Sequence, residues 1–242
     1  MWVLISTLVR NNENWLPQFY KMVENIKRSN PQIHFGVHVY ENDSTDSTKS
    51  LLEGSYTSKD FGHPFDRISR TKRLAFYRND AKSHISDLDL YNYVLLVDSN
   101  MIFGARAFEK LLETLEKNTD IAMATPHAMV HGSVPCEFYY DTFAMGLGQF
   151  DSVFECKHQG PRHDRHCHHV ANTWPKILVG GPRLTEVDKC FGGFVLLRKD
   201  AYKNSEWRVK SPHDCEHWEF CADVRKHGKI VIDRESKVLW YE

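Results

Sequence analysis

Apolar and polar positions change period along this chain, and the changes mark its elements. Trp2-Val3-Leu4-Ile5 runs into Arg10-Asn11-Asn12, which predicts a first strand. Trp15, Phe19, Met22, Val23 and Ile26 then recur at helical spacing. From His34 to Tyr40, Phe35, Val37 and Val39 alternate with Gly36 and His38, the period of a second strand. Leu51 and Leu52 predict a short helix at best, and Arg73 to Asn79 reads as a short helical piece. Tyr93-Val94-Leu95-Leu96-Val97 is a buried strand. Ala105, Phe108, Leu111, Leu112 and Leu115 return to helical spacing, and Ile121 to Thr125 predicts a strand ended by Pro126. Phe194 to Leu197 is a further strand. Asp214, after Ser211-Pro212, is placed to cap a helix carrying His217, Phe220, Cys221 and Val224 on one face. Lys229 to Ile232 and Val238 to Tyr241 predict two short closing strands.

Strands that alternate with helices predict an α/β fold with a mainly parallel central sheet flanked by helices. The early half follows that alternation and the later half is more irregular. Gly146 to Pro182 has little period and is rich in Gly, His and Pro, which predicts a functional loop or a mobile lid. A chain of 242 residues suffices for one large α/β domain or two small ones. The unbroken pattern predicts a single domain over 1–242.

Composition narrows the classes. The formal net charge is −1, and the Lys and Arg residues are dispersed, so no basic footprint for nucleic acid stands out. No apolar run approaches the length of a membrane span. Met1 leads directly into the first strand without a charged leader, which predicts a cytoplasmic enzyme; a lumenal enzyme trimmed of its anchor reads the same way. Cys136, Cys156, Cys167, Cys190, Cys215 and Cys221 include no Cys-X-X-Cys pair, so they read as mostly free thiols, with disulfides open to an oxidising compartment.

The chemistry-bearing residues gather at predicted strand ends. Glu41-Asn42-Asp43-Ser44-Thr45-Asp46-Ser47-Thr48 crowds carboxylates and hydroxyls into the turn after the second strand. Ligands of open α/β sheets bind at such ends, and these acceptors suit a ribose or a base edge, although the same residues also make ordinary turns. Arg10, Arg73 and Arg78 offer the guanidinium fork that suits diphosphate oxygens and base carbonyls. A structural alternative has Arg78 bracing Asp43 or Asp46. Asp98-Ser99-Asn100 ends the buried strand with two oxygen donors that suit one hard cation, Mn or Mg. Gly192-Gly193 allows backbone to approach a ligand closely, or simply makes a tight turn. Tyr139-Tyr140-Asp141 offers aromatic faces and a carboxylate that suit a sugar. His163, His166, Cys167, His168 and His169 cluster without completing a familiar zinc spacing, and read as a polar loop over a site.

The order of "YENDSTDST", "RLAFYRN" and "YVLLVDSN" resembles the nucleotide-binding half of a GT-A-type glycosyltransferase. It is most similar to the capsule-associated mannosyltransferases of fungi, and also to glycosyltransferases of large DNA viruses. "FYYDTFAMG" (138–146), "CFGGFVLLR" (190–198) and "DCEHWEFCADVRKHGKIVI" (214–232) extend the resemblance over nearly the whole chain. It implies a GT-A-like domain in which residues 1–100 hold a nucleotide sugar and residues 101–242 shape the sugar and acceptor sites. Thr7, Arg10, Glu41, Asp43, Arg73 and Arg78 would then line the nucleotide pocket, and Asp98 would meet the metal or diphosphate with Asn100 assisting. Asp141, Gly192 and Gly193 would face the sugar or acceptor, a glycan or glycoprotein of capsule or capsid type. In inverting GT-A families a carboxylate at the start of a late helix is the base. The matching position is Glu216, with Asp214 beside it, whereas the fungal relatives retain configuration. Asn100 departs from the usual Asp-X-Asp of the family, which puts strong metal dependence in question.

Two other classes remain open on sequence. A nucleotidyltransferase also handles diphosphates on an α/β core, but it would show a glycine-rich loop where Val9-Arg10-Asn11-Asn12-Glu13 stands. A non-catalytic nucleotide-sugar-binding protein would explain Asn100 as the relic of a metal site.

Overall fold

Four parallel strands carry the first half of the molecule: β1 (Trp2–Val9), β2 (His34–Asn42), β3 (Ser55–Lys59) and β4 (Tyr93–Val97). The computed structural model describes residues 1–62, 65, 67–131, 144, 181–211 and 214–241. Among them the sheet continues through β5 (Met101–Ile102), β6 (Ile121–His131), β7 (Leu184–Val187), β8 (Phe194–Arg198) and β9 (Lys229–Tyr241). The order is β3-β2-β1-β4-β8-β6-β9-β5, with β7 also on β9. β8 runs antiparallel between β4 and β6, while β6 and β9 are parallel.

Helices cover both faces because the strands are apolar on both. On β2, Phe35 meets Phe108 of the helix Ala105–Lys117, while Tyr40, of opposite pleat parity, packs with Tyr77 and Ala81 of the helix Arg70–Ser83. Call these helices α3 and α2; α1 is Leu16–Ser29, α4 is Lys199–Lys203 and α5 is Glu216–Val224. α1 buries Leu16, Phe19, Val23 and Ile26; of the predicted stripe, Trp15 and Met22 are only half-buried. No helix among the described residues is long and apolar enough to cross a membrane.

The register decides where a site can form. Trp2 pairs with His34 and Val9 with Glu41, so β1 and β2 end side by side; β4 joins β1 from Val3↔Tyr93 to Ser6↔Leu96. Their carboxyl ends therefore share one edge, with the Asp98 turn beside the Arg10 loop and the acidic turn.

Several expectations are corrected. Pro126 does not end a strand: β6 continues to His131, with a register irregularity after Pro126. Proline is tolerated in a sheet where the ladder is already broken. The two closing strands are one, β9, interrupted opposite that point between Asp233 and Lys237. Asp214 does not cap α5. Cys215 holds the cap position, and Asp214 Oδ2 instead accepts from the Ser211 N–H at 2.8 Å. The 3₁₀ turn Ser47–Leu51 matches the short helix expected near Leu51. Cys190, Cys215 and Cys221 are buried thiols. The other cysteines, the His-rich cluster, Asp141 and residues 146–180 of the expected lid lie outside the described residues.

The break in β9 is held by a carboxylate, Asp233, and by the Ser236 hydroxyl, which donates to Ala107 O at 2.9 Å. Asp233 is fully enclosed and accepts from Thr114 Oγ1 at 2.7 Å, the Arg183 guanidinium at 3.0 and 3.2 Å, and the Glu235 N–H at 2.9 Å. Asp233→Ala leaves a buried threonine hydroxyl without its acceptor and takes from Arg183 its nearest carboxylate, while Glu113 and Glu235 stay at 3.5 Å from that partly hydrated guanidinium. The expected loss is about 1.5–3 kcal/mol in urea unfolding. A loss within experimental error of zero would show that this carboxylate does not hold the irregular strand.

Candidate active site at the carboxyl ends of β1, β2 and β4

The acidic turn is first of all a scaffold. Asn11 and Asp43 adopt left-handed backbone, at φ 50 and 49°, conformations that Asn and Asp tolerate best after glycine. Side chains of the turn then cap the backbone of the β1 loop. Ser44 Oγ accepts from Asn11 N at 3.0 Å, Thr48 Oγ1 from Asn12 N at 2.6 Å and Asp46 Oδ2 from Glu13 N at 3.2 Å. The loop reciprocates: Asn11 Oδ1 accepts from Thr45 N, and Glu13 Oε2 from Ser47 N. Asn12 Nδ2 donates to Ser99 Oγ at 2.7 Å, which ties in the third loop. Glu41 is fully buried, accepting from Ser44 N at 2.8 Å and from the Ser58 hydroxyl. It shapes the turn from below.

Asp43 is the carboxylate of this turn that faces the helix side. Its Oδ1 accepts from Phe61 N and Gly62 N at 2.6 and 3.0 Å, and Tyr77 Oη lies 3.5 Å from Oδ2. Burial pushes its pKa up, but the donors Gly62, Asn42 and Phe61, with the Arg10 charge, prevail and hold it below the usual carboxylate range. Tyr77 is also within the field of Arg10 and Arg73, although burial and Asp43 raise its hydroxyl. Arg10, Asp43 and Arg73 thus gather around Tyr77, a residue that sequence reasoning missed.

A second cluster lies on the other side of α2. Arg78 places NH2 3.5 Å from Asp98 Oδ1 and Nε 3.6 Å from Glu216 Oε1. Three segments far apart in sequence meet there. The expected brace from Arg78 to Asp43 or Asp46 is not made. One residue along a helix is about 100° around it, so Tyr77 takes the Asp43 side and Arg78 turns toward β4 and α5. The Arg78 side chain is 11% exposed, Asp98 30% and Glu216 5%. The Arg78 guanidinium also lies 4.8 Å from the Phe191 ring centroid.

Gly192 and Gly193 follow Phe191 at φ 66 and 69°, a turn open to glycine. Gly193 O accepts from Asp98 N at 2.8 Å, and a Cβ on Gly193 would come within 2.7 Å of Met101 Sδ. The glycine pair therefore fixes the Asp98 turn directly. Thr7 is buried beneath, lining with Arg78, Tyr202 and Trp207 a cavity of about 10 Å³. Asn100 is half-buried, two residues past Asp98. Asp214 stays at the entrance to α5.

His217 was legible only as a core position of the α5 face. It is buried, stacked on Phe191 with centroids 3.9 Å apart, and its Nε2 lies 3.4 Å from Glu216 Oε1. Burial, reinforced by the charges of Arg78 and Arg70, holds its pKa well below the usual imidazole value.

No protein-family model and no curated protein sequence matches the chain. Solved structures do. S. aureus TarS 1–349 in complex with UDP-GlcNAc superposes with a TM-score of 0.58 at 12% identity, over 100% of this chain and 59% of that one. The mannosyltransferase PcManGT from Pyrobaculum calidifontis, in complex with GDP-Man and Mn2+, gives 0.53 at 12% identity, over 98% and 56%. A mycobacterial protein gives 0.53 at 13%, over 98% and 66%. The chain therefore spans about three fifths of the TarS fragment that it matches. At such identities the likeness establishes the fold: a GT-A-type α/β domain with a curled, mostly parallel sheet flanked by helices.

The buried imidazole sets a pH dependence. Its native pKa lies below the unfolded value of about 6.5, so the unfolded chain binds more protons as pH falls past that value. Stability is full above about pH 6.5 and declines below it, by up to about 1.4 kcal/mol per pH unit for this one group. His38 shifts in the same direction. Urea unfolding at pH 7.5 and 5.5 should therefore show a smaller acid loss in His217→Gln than in the wild type. Equal losses would mean that His217 is not held neutral.

Proposed function

We propose that the chain transfers a sugar from a nucleotide-sugar donor to a hydroxyl of a glycan or glycoprotein acceptor. The observation that carries this reading is the meeting of Arg78, Asp98 and Glu216 at the carboxyl ends of the parallel strands, where α/β folds bind ligands. Support comes from the fold shared with proteins that hold UDP-GlcNAc or GDP-Man.

In this reading residues 1–100 hold the donor. Arg10, Asp43 and Arg73, around Tyr77, face the nucleoside end; Glu41 and Thr7 hold that subsite in shape. Arg78 offsets diphosphate charge. Residues 101–242 supply the sugar and acceptor side, with the Gly192-Gly193 backbone and Asp141 assigned to it. Glu216 is the base that takes the acceptor hydroxyl proton, and Asp214 supports the entry to its helix.

A metal suits this donor set. Asp98 and Asn100 are hard oxygen donors, and one cation, Arg78, stands between two carboxylates, so a further positive charge is electrostatically favoured. Among the described residues no group of three or more His, Cys, Asp or Glu gathers as a full metal cage. Mg and Mn sites of this type rely on one or two protein ligands together with phosphate oxygens. Asp98 and Asn100 would hold Mn or Mg, which would supply charge stabilisation to the leaving diphosphate.

A second reading has its own observation. Glu216 is 5% exposed and its Oε1 faces Arg78, so it would instead anchor that guanidinium in a retaining transfer.

Thermal-shift measurements with nucleotide sugars, with and without Mn, test donor binding. A ligand at a hundred times its dissociation constant adds about 2.7 kcal/mol. No shift with any nucleotide or nucleotide sugar at millimolar levels removes the proposal's foundation. With a donor in hand, Glu216→Gln is expected to lower kcat by roughly a hundred- to ten-thousand-fold while sparing donor affinity. NMR of the anomeric centre decides between the two readings: inversion supports Glu216 as base, and retention assigns it to Arg78.

A further inference from the structure

Behind Glu216 lies a chain of contacts that the transfer reaction itself does not call for. Asn79 follows Arg78 on α2 and leaves the helix about 100° further round. Its amide makes a two-point clamp on the Trp207 backbone: Nδ2 donates to Trp207 O at 2.8 Å, and Oδ1 accepts from Trp207 N at 3.0 Å. The Trp207 ring lies flat on Phe220 of α5, with centroids 4.0 Å apart and planes 6° apart. Backbone clamp and ring stack together fix where the indole N–H points. It points at His217 Nδ1, 3.4 Å away.

An indole nitrogen only donates. Nδ1 of His217 must therefore accept, and the ring proton of a neutral imidazole then sits on Nε2. Nε2 is the atom that lies 3.4 Å from Glu216 Oε1. The ring cannot swing away easily, because Phe191 is stacked on it at 3.9 Å and 14°. Burial and the neighbouring Arg78 and Arg70 charges disfavour a second proton.

We propose that His217 is a positioning residue, locked by Trp207 as the Nε2–H tautomer so that it donates to Glu216 Oε1 and, with Arg78, fixes the direction of that carboxylate. Oε1 thereby faces Arg78 Nε at 3.6 Å and His217 Nε2 at 3.4 Å. Oε2, whose one described contact is the Cys215 thiol at 3.8 Å, is the oxygen left for an acceptor hydroxyl. This inference rests on Glu216 working at the acceptor. The orientation of the imidazole can be read without any donor, so the two ideas fail separately.

The test is a long-range proton–nitrogen NMR spectrum of the ¹⁵N-histidine-labelled protein at pH 7, with His217 assigned by comparison with His217→Gln. The expected signature is a neutral ring protonated at Nε2. A ring protonated at Nδ1, or at both nitrogens, overturns the proposal whatever the activity. Trp207→Phe keeps an aromatic stack on Phe220 but removes the indole N–H. It should let the Nδ1–H tautomer appear and lower kcat about ten- to a hundred-fold, with the donor KM changed less than about twofold, as for a misdirected reacting group. His217→Gln, whose amide nitrogen falls near the position of Nε2, should retain more activity than His217→Asn. A Trp207→Phe protein that shifts tautomer at full kcat, or equal losses in the two His217 variants, overturns the positioning role. If the tautomer is as expected but no nucleotide sugar is turned over, the orientation stands and the positioning proposal falls together with the transferase reading. Should Trp207→Phe fail to fold, the wild-type spectrum and the His217 pair still decide.

Discussion

One enclosed guanidinium organises the site. Moving a charge out of water costs several kcal/mol even after relaxation, and a buried arginine is tolerated only where neighbours repay that cost. Around Arg78 the repayment comes from Asp98 at the end of β4, Glu216 at the start of α5 and the face of Phe191. Each of these belongs to a different segment. Arg78 therefore does more than carry charge: it fixes where a strand end, a helix start and a glycine turn stand relative to one another. Its contacts at 3.5 and 3.6 Å are longer than the best charge-assisted hydrogen bonds. That looseness leaves the guanidinium able to accept an incoming anion without first breaking a tight bidentate pair.

The rest of the site is rigid by other means. The turn after β2 spends most of its polar groups on the β1 loop, through Ser44, Asp46 and Thr48. Buried backbone N–H groups need partners, and these side chains supply them where no strand remains to do so. A segment that looks like an array of ligand acceptors is thus largely occupied in making three loops one surface. Asp43 sits at its edge, turned toward Tyr77 and held ionised by backbone donors and Arg10.

Much of this was legible in the chain. Tyr93–Val97 is the strand its apolar run predicts, residue for residue, and α1 and α3 follow their helical stripes. Such elements read well because burial alone dictates their pattern. β3 was missed: Ser55-Tyr56-Thr57-Ser58-Lys59 has almost nothing to bury, and it is a strand because β2 offers it a ladder. The split reading of β9 failed for a related reason. Arg234, Glu235 and Ser236 look like a loop, but Asp233 and Ser236 bind them to α3, and β6 carries the matching irregularity. In the site, Arg78, Asp98 and Glu216 were each legible as candidates, but their meeting was not, since no local pattern encodes a contact between α2 and α5. His217 had only the signal of an apolar face, and its polar partner Trp207 lies on a segment without period.

Three consecutive residues of α2 explain how the two halves of the site are coupled. Successive side chains on a helix diverge by about 100°, so Tyr77, Arg78 and Asn79 leave the helix in three directions. Tyr77 reaches Asp43, Arg78 reaches Asp98 and Glu216, and Asn79 clamps Trp207. The helix surface facing the site has little apolar area of its own; Ala75 and Ala81 let it lie close to the sheet. Its position is therefore set by these polar contacts as much as by packing. A small shift of α2 along its axis would move the Asp43 subsite, the Arg78 charge and the Trp207–His217 pair together. Polar contacts weaken steeply with distance and angle, so such a shift would be felt at all three before it cost much buried surface. The helix thereby links the Asp43 side of the site to the Glu216 side through its own rigidity, with no mobile element required between them.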